Sequence, residues 1–108
     1  MNLADYEAAA ARTINARLDD RDRLADAAAG LAEEAGEVLG LVRKHLYMAH
    51  PLDRERLTKE LGDALWCLAM TARACGITLD EVAEANVAKL RGRYPEGYSD
   101  EASRGSRD

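Results

Sequence analysis

Phenylalanine is absent from this chain of 108 residues, and its only aromatic side chains are one tryptophan and four tyrosines. A core without large aromatics must be built from aliphatic groups. Of these, 21 are alanines, which favour helix but bury little area apiece. A thin core in the single chain follows, with part of the stability expected from self-association. Proline occurs twice, at Pro51 and Pro95, so long stretches are free of helix breakers. No apolar run approaches the roughly 18–20 residues that span a bilayer, and no membrane partner is expected. The first residues lack the basic and apolar regions of a secretory signal, from which a cytoplasmic location is expected. Cysteine is also scarce. Cys67 and Cys75 stand eight apart on one predicted helix, roughly 12 Å along its axis, too far for a disulfide. They form no zinc-ligand spacing and are both expected to be buried, reduced thiols. Basic charge is in deficit too, with 15 Lys and Arg against 20 Asp and Glu for a net charge of −5. That argues against a nucleic-acid partner. It leaves room for a phosphorylated small molecule, because a bound cation reverses the local sign.

The length suits one domain, and the apolar periodicity predicts four helices and no strands. The first runs from about Leu3 to Leu18, with Leu3, Tyr6, Ala10, Ile14 and Leu18 on one stripe. After the turn at residues 19–22, with Asp22 as cap, the second runs from about Arg23 to Met48. Its inner face is read as Leu24, Ala28, Leu31, Ala35, Val38, Val42 and Leu46. His50-Pro51-Leu52 breaks it. Asp53 caps a third helix, about Arg54 to Cys75, with the stripe Leu57, Leu61, Ala64, Leu68 and Ala72, and Gly76 stops it. Thr78-Leu79-Asp80-Glu81 is a capping box for a fourth helix reaching about Gly92. The expectation is an all-α, four-helix bundle over residues 1–98, followed by a loose polar tail over residues 99–108.

Two of these helices repeat one pattern twenty-six positions apart. Residues 31–38 and residues 57–64 share Leu, two residues, Glu, an apolar residue, Gly, an acid and an apolar residue. The frame pairs Glu34 with Glu60, Glu37 with Asp63, and Gly36 with Gly62. Each acid pair is spaced i,i+3, so both carboxylates project from one side of a helix. At about 100° per residue, Glu34 and Glu60 border the apolar stripe, whereas Glu33 lies further out. One such pair is ordinarily a solvated helix face. Two in matching frames, each at the core margin, suggest four oxygen ligands converging on a hard divalent cation, Mg²⁺ first. A mid-helix glycine costs about 0.5–1 kcal/mol against alanine, so Gly36 and Gly62 are expected to mark a close approach of a helix or a ligand.

A second constellation closes the fourth helix. Asn86, Lys89 and Arg93 follow one another at i,i+3 and i,i+4 and form one polar stripe. Cations near a helix C-terminus are favoured by the backbone dipole in any case. Beside a metal-binding acid cluster, phosphate binding is the stronger reading, with Lys as a point charge and Arg as a fork.

Taken together, these motifs resemble the all-α nucleoside triphosphate pyrophosphohydrolases of the MazG type. The family's Glu-Glu-x-x-Glu is matched by Glu33-Glu34-Ala35-Gly36-Glu37. After a spacer of twenty-two residues its Glu-x-x-Asp is matched by Glu60-Leu61-Gly62-Asp63. The closing Asn86-Val87-Ala88-Lys89-Leu90-Arg91-Gly92-Arg93-Tyr94-Pro95, the segment from Leu61 to Trp66, and Tyr6 with Arg12-Thr13 are similar as well. The resemblance implies Mg²⁺-dependent hydrolysis (Mn²⁺ as a substitute) of an NTP or dNTP between the α and β phosphates, in a homodimer or homotetramer.

On this resemblance Glu34, Glu37, Glu60 and Asp63 hold the metal. Glu33 serves a second cation or the proton of the attacking water, and all five acids are catalytic. Asn86, Lys89, Arg93 and Tyr94 contact the substrate, in part from a neighbouring chain. Trp66 lies opposite the third helix's stripe, which assigns it to a subunit interface first and to a base-stacking wall second. His45 and His50 are read as structural. The rival readings are a non-enzymatic assembly module and a pyrophosphohydrolase acting on another phosphorylated compound, such as phosphoribosyl-ATP.

Overall fold

The computed structural model describes residues 1–105. Five helices follow in order: α1 (Leu3–Ala11), α2 (Asp20–Tyr47), α3 (Arg54–Ala74), α4 (Leu79–Arg93) and α5 (Asp100–Gly105). No strand occurs among the described residues. The all-helical expectation holds, and the boundaries differ in three places.

α1 ends seven residues earlier than the apolar stripe suggests, at Ala11 rather than Leu18. The reason is local hydrogen bonding that competes with the helix. The Thr13 hydroxyl donates to the Ala10 carbonyl at 2.8 Å, and the Asn15 side chain accepts from the Arg17 amide at 3.0 Å. α2 then starts earlier than expected. Asp19, not Asp22, is its cap, and its carboxylate accepts from the Asp22 amide at 2.8 Å. In the segment read as a loose tail, Asp100–Gly105 is helical, with Ser99 Oγ accepting from the Ala102 amide. Residues 106–108 of that tail lie outside the described residues.

The other ends follow the sequence. Asp53 accepts from the Arg56 amide, and Thr78 accepts from the Glu81 amide. After α3, Gly76 adopts φ 71°, the left-handed region where a side chain is disfavoured. Its amide donates to the Arg73 carbonyl, and that of Ile77 to Ala72, the paired bonds of a Schellman stop.

α2 and α3 form an antiparallel hairpin with the most extensive contact in the chain; α1 packs on α3 and α4, and α4 also touches α3. Gly30 fixes the tightest point of the hairpin, since a Cβ there would sit 2.8 Å from the Cys67 sulfur. No helix of the same chain approaches Gly36 or Gly62, since a Cβ at either would meet nothing within 4 Å. Their shared frame gives helical phase but not what lies opposite. Cys67 is buried as expected, whereas Cys75 is exposed, because it lies past the last turn of α3 at the open end of the hairpin.

The core is small: Ala10, Ala27, Ala69, Met70 and Leu79 are buried, with Tyr6, Ile14 and Trp66 packed against them. Among the described residues no large side chain is fully buried. The face of α2 that meets α3 comprises buried Ala27 and half-buried Leu31, Glu34, Val38 and Val42. Ala28, Ala35 and Leu46, placed on the inner face by periodicity, are exposed. The apolar band of the hairpin is wider than the contact within one chain. Leu39 is 64% exposed, Leu46 62% and Leu61 51%. Helical phase sets these leucines on one side of the hairpin and Glu37, Asp63 and Trp66 on the other.

One polar contact inside the core was not legible from the sequence. Glu7, buried on α1, accepts a 3.0 Å hydrogen bond from the Leu79 amide at the start of α4. It satisfies a donor that the first turn of a helix leaves open. No described helix is long and apolar enough to cross a membrane.

Candidate active site

The hairpin's register builds the site. Gly30 lies against Cys67. In an antiparallel pair, one turn forward on α2 faces one turn back on α3, so Glu34 comes beside Asp63 and Glu60. Their carboxylate oxygens all lie within 4.8 Å of one another. Glu34 and Glu60 are half-buried between the helices, and Asp63 is exposed at the mouth.

The electrostatics of this trio are unbalanced. Partial burial holds the Glu34 carboxyl above its ordinary value, helped by the charges of Asp63 and Glu60, a hydrogen bond with Glu60, and the charge of Glu33. Every one of these influences raises it; no cation offsets them. The same field reaches Cys67, whose thiol is raised by burial first and then by Glu34, Asp26, Asp63 and Glu33. Carboxylates crowded together without a counter-charge favour a shared cation. The donor set is all oxygen, the chemistry a hard ion such as Mg²⁺ or Mn²⁺ requires, so the residues fit a divalent metal.

The remaining sequence-derived candidates take different places. Glu37 is exposed one turn along α2, on the same side as Asp63 by phase, and is not a member of the group of three. Glu33 is exposed and acts on Glu34 only through its charge. Asn86 and Lys89 are exposed on α4, and every residue from 81 to 92 is exposed. Arg93 and Tyr94 are half-buried, with the guanidinium carbon 5.8 Å from the Tyr94 ring centre.

The Trp66 indole N–H donates to Thr13 Oγ1 at 2.8 Å and to the Ala10 carbonyl at 3.2 Å, so it is held against the end of α1 in its own chain. The early stop of α1 turns Thr13 toward it. Beside the indole opens a cavity of about 520 Å³, whose walls include Ile14, Asp26, Trp66, Met70 and Arg73. Trp66 lies about one turn beyond Asp63 on α3, which by helical phase sets the cavity on the same side of the hairpin as the acid cluster. Asp26 and Arg73 were missed by motif reading. The available signal was spacing: each stands seven residues, two helical turns, from a residue already singled out, Glu33 and Trp66 respectively.

Comparison with known proteins identifies a family. A family model described as the MazG nucleotide pyrophosphohydrolase domain matches residues 24–98, which include the acid cluster and Trp66. The chain is 35% identical over 72 residues to the Gene 37 protein of Mycobacterium phage L5, covering 63% of this chain and 63% of that protein. The chain therefore spans under two thirds of the length of that relative. No solved structure matches.

Proposed function

Because the chain belongs to the MazG nucleotide pyrophosphohydrolase family, we propose that it hydrolyses a ribo- or deoxyribonucleoside triphosphate between the α and β phosphates in a Mg²⁺-dependent reaction. The products are the monophosphate and pyrophosphate. The observation that carries this reading is the convergence of Glu34, Glu60 and Asp63 within 4.8 Å. A divalent cation held there supplies charge neutralisation at the phosphate oxygens. Glu37 completes the ligand set from the next turn of α2, and Glu33, further out, accepts the proton of the attacking water. Trp66 offers a ring face to the base in the adjoining cavity, its orientation locked by Thr13 and Ala10.

The working unit in this proposal is an assembly of at least two chains. A compact monomer of 11.8 kDa exposes about 5,900 Å², whereas this chain exposes 8220 Å². The difference of about 2,300 Å² is the amount an obligate subunit buries against its partners. The radius of gyration, 16.8 Å, likewise exceeds the value of about 13 Å for a compact domain of this length. The exposed leucines of the hairpin and the uncovered α4 account for the excess. In such an assembly the exposed Asn86 and Lys89 of α4, with Arg93 and Tyr94, are assigned to the phosphates of a neighbouring copy.

The test is pyrophosphate release from a panel of ribo- and deoxyribonucleoside triphosphates with Mg²⁺. Asp63→Asn and Glu60→Gln should each abolish turnover while leaving helicity intact. Turnover by either variant at the parent rate would end the proposal.

A further inference from the structure

A second cavity opens on the hairpin, away from the Trp66 cavity. It lies at the α2–α3 turn, has a volume of about 380 Å³, and is lined by Leu41, Lys44, His50, Pro51, Asp53 and Arg56. Its position follows from the same register that builds the site. Lys44 is seven residues beyond Glu37 on α2, and Arg56 is seven residues before Asp63 on α3. Seven residues are two turns, about 10.5 Å along each axis, and restore nearly the same helical phase. Lys44 and Arg56 therefore lie on the same side of the hairpin as the acids, and both line this one cavity.

The charge distribution is unusual for this chain. Its net charge is −5, yet residues 43–59 hold five Lys and Arg against two acids. Lys44 lies in the last turn of α2, where the helix dipole favours a cation. Arg54 and Arg56 do not have that reason, because they occupy the first turn of α3, where the dipole favours an anion. Their placement opposes local helix stability and calls for another explanation. Asp53, the acid in the cavity wall, is engaged as the α3 cap through the Arg56 amide at 3.0 Å. Glu55 is paired with Lys59 at 3.3 Å, so the cavity wall sets the one charge of Asp53 against the two of Lys44 and Arg56.

Along one side of the hairpin the order is then the Trp66 cavity, the acid cluster, and the basic cavity. We infer that the basic cavity is an anion subsite that takes the terminal phosphates of the substrate and the pyrophosphate product, with Lys44 and Arg56 as its ligating side chains. This rests on the nucleoside triphosphate reading above and adds a direction to it: base toward Trp66, phosphate tail toward the α2–α3 turn. Lys44 points back along α2 toward the acids, as helical side chains do, and offers a point charge. Arg56 offers a planar fork for two phosphate oxygens. Both are exposed on helices whose packing they do not support, so their replacement leaves the fold intact.

The experiment uses the full chain. Binding of inorganic pyrophosphate and of a nucleoside monophosphate is measured by calorimetry with Mg²⁺, in parent, Lys44→Ala/Arg56→Ala and Lys44→Arg/Arg56→Lys. Helicity and melting are recorded for each. The expected result is at least a tenfold loss of pyrophosphate affinity in the double alanine variant, unchanged monophosphate affinity, and recovery of most pyrophosphate affinity in the charge-retaining variant. With a substrate that turns over, KM should rise more than kcat falls. Equal pyrophosphate affinity in parent and alanine variant, no pyrophosphate binding by the parent, or equal weakening of both ligands would overturn the subsite. Failure of the parent chain to release pyrophosphate from any nucleoside triphosphate overturns the functional reading instead. The two failures are separable, because the pyrophosphate titration requires no turnover.

Discussion

Gly30→Ala tests whether the close approach of α2 and α3 sets the site. The new methyl would stand 2.8 Å from the Cys67 sulfur, and ordinary contact begins at 3.4 Å, so the helices must part by about 0.6 Å or the thiol must rotate. Overpacking of a tight contact costs about 1–3 kcal/mol. The exchange also gains about 0.5–1 kcal/mol of helix propensity. The net expectation is a loss of up to about 2.5 kcal/mol, or a fall in Tm of several degrees for a chain of this length. The diagnostic step is the Cys67→Ala background. With the sulfur gone the clash disappears and only the propensity gain remains, so Gly30→Ala should there become neutral or stabilising. Because Glu34 and Asp63 are one turn from this contact, the single variant should also lose turnover, and Cys67→Ala should restore part of it. Denaturant and thermal melts of the four chains, with pyrophosphate release for each, measure the coupling. A Gly30→Ala effect of the same sign and size in both backgrounds would refute the reasoning.

Three further outcomes are expected. For Glu34, a raised carboxyl means that the folded chain binds its proton more tightly than the unfolded chain does. Its contribution to stability is therefore full below the ordinary value of 4.5 and is lost as pH rises through the folded value. Glu34→Gln should become more stable relative to the parent as pH is raised across that window, and Mg²⁺ should reverse the gap; parallel pH curves for the two chains would contradict this. Trp66→Phe removes two hydrogen bonds, to Thr13 and Ala10, and should cost about 1–3 kcal/mol in melts, together with a weaker KM for nucleotide; a stability equal to the parent's would show that those bonds do not hold the ring. Leu39→Glu/Leu61→Glu places charge on the exposed leucine face and should shift the chain toward monomer in sedimentation, with loss of activity; an unchanged mass would place the interface elsewhere.

What was legible in the sequence was what helical phase and capping chemistry determine. Asp53, Thr78 and Gly76 each end or start a helix by bonds between near neighbours, and each was read correctly. The pairing of Glu34 with Glu60 and Asp63 was legible because the same motif occurs on two helices joined by a short turn, which forces them antiparallel. Contacts between positions that share no motif were not legible. Gly30 carries no sign of the sulfur opposite it, whereas Gly36 and Gly62, conspicuous in the repeat, meet no other helix of the chain. Trp66 looked misplaced on its own helix because the partner that covers it, the end of α1, is set by the Thr13 and Asn15 turn. Glu7 reads as a surface acid until α4 is seen to begin above it. The wide apolar band of α2 and α3 was legible as apolar, but its division between the α2–α3 contact and an exposed flank was not.

The central claim is that Glu34, Glu60 and Asp63 hold one divalent ion between α2 and α3. Its most direct test is calorimetric titration of the full chain with Mn²⁺ in place of Mg²⁺, for the parent and for Asp63→Asn. The account expects saturable binding at this site in the parent, accompanied by a rise in Tm, and loss of both in the variant. Equal Mn²⁺ affinity in the two chains, or no rise in Tm for the parent, would contradict it.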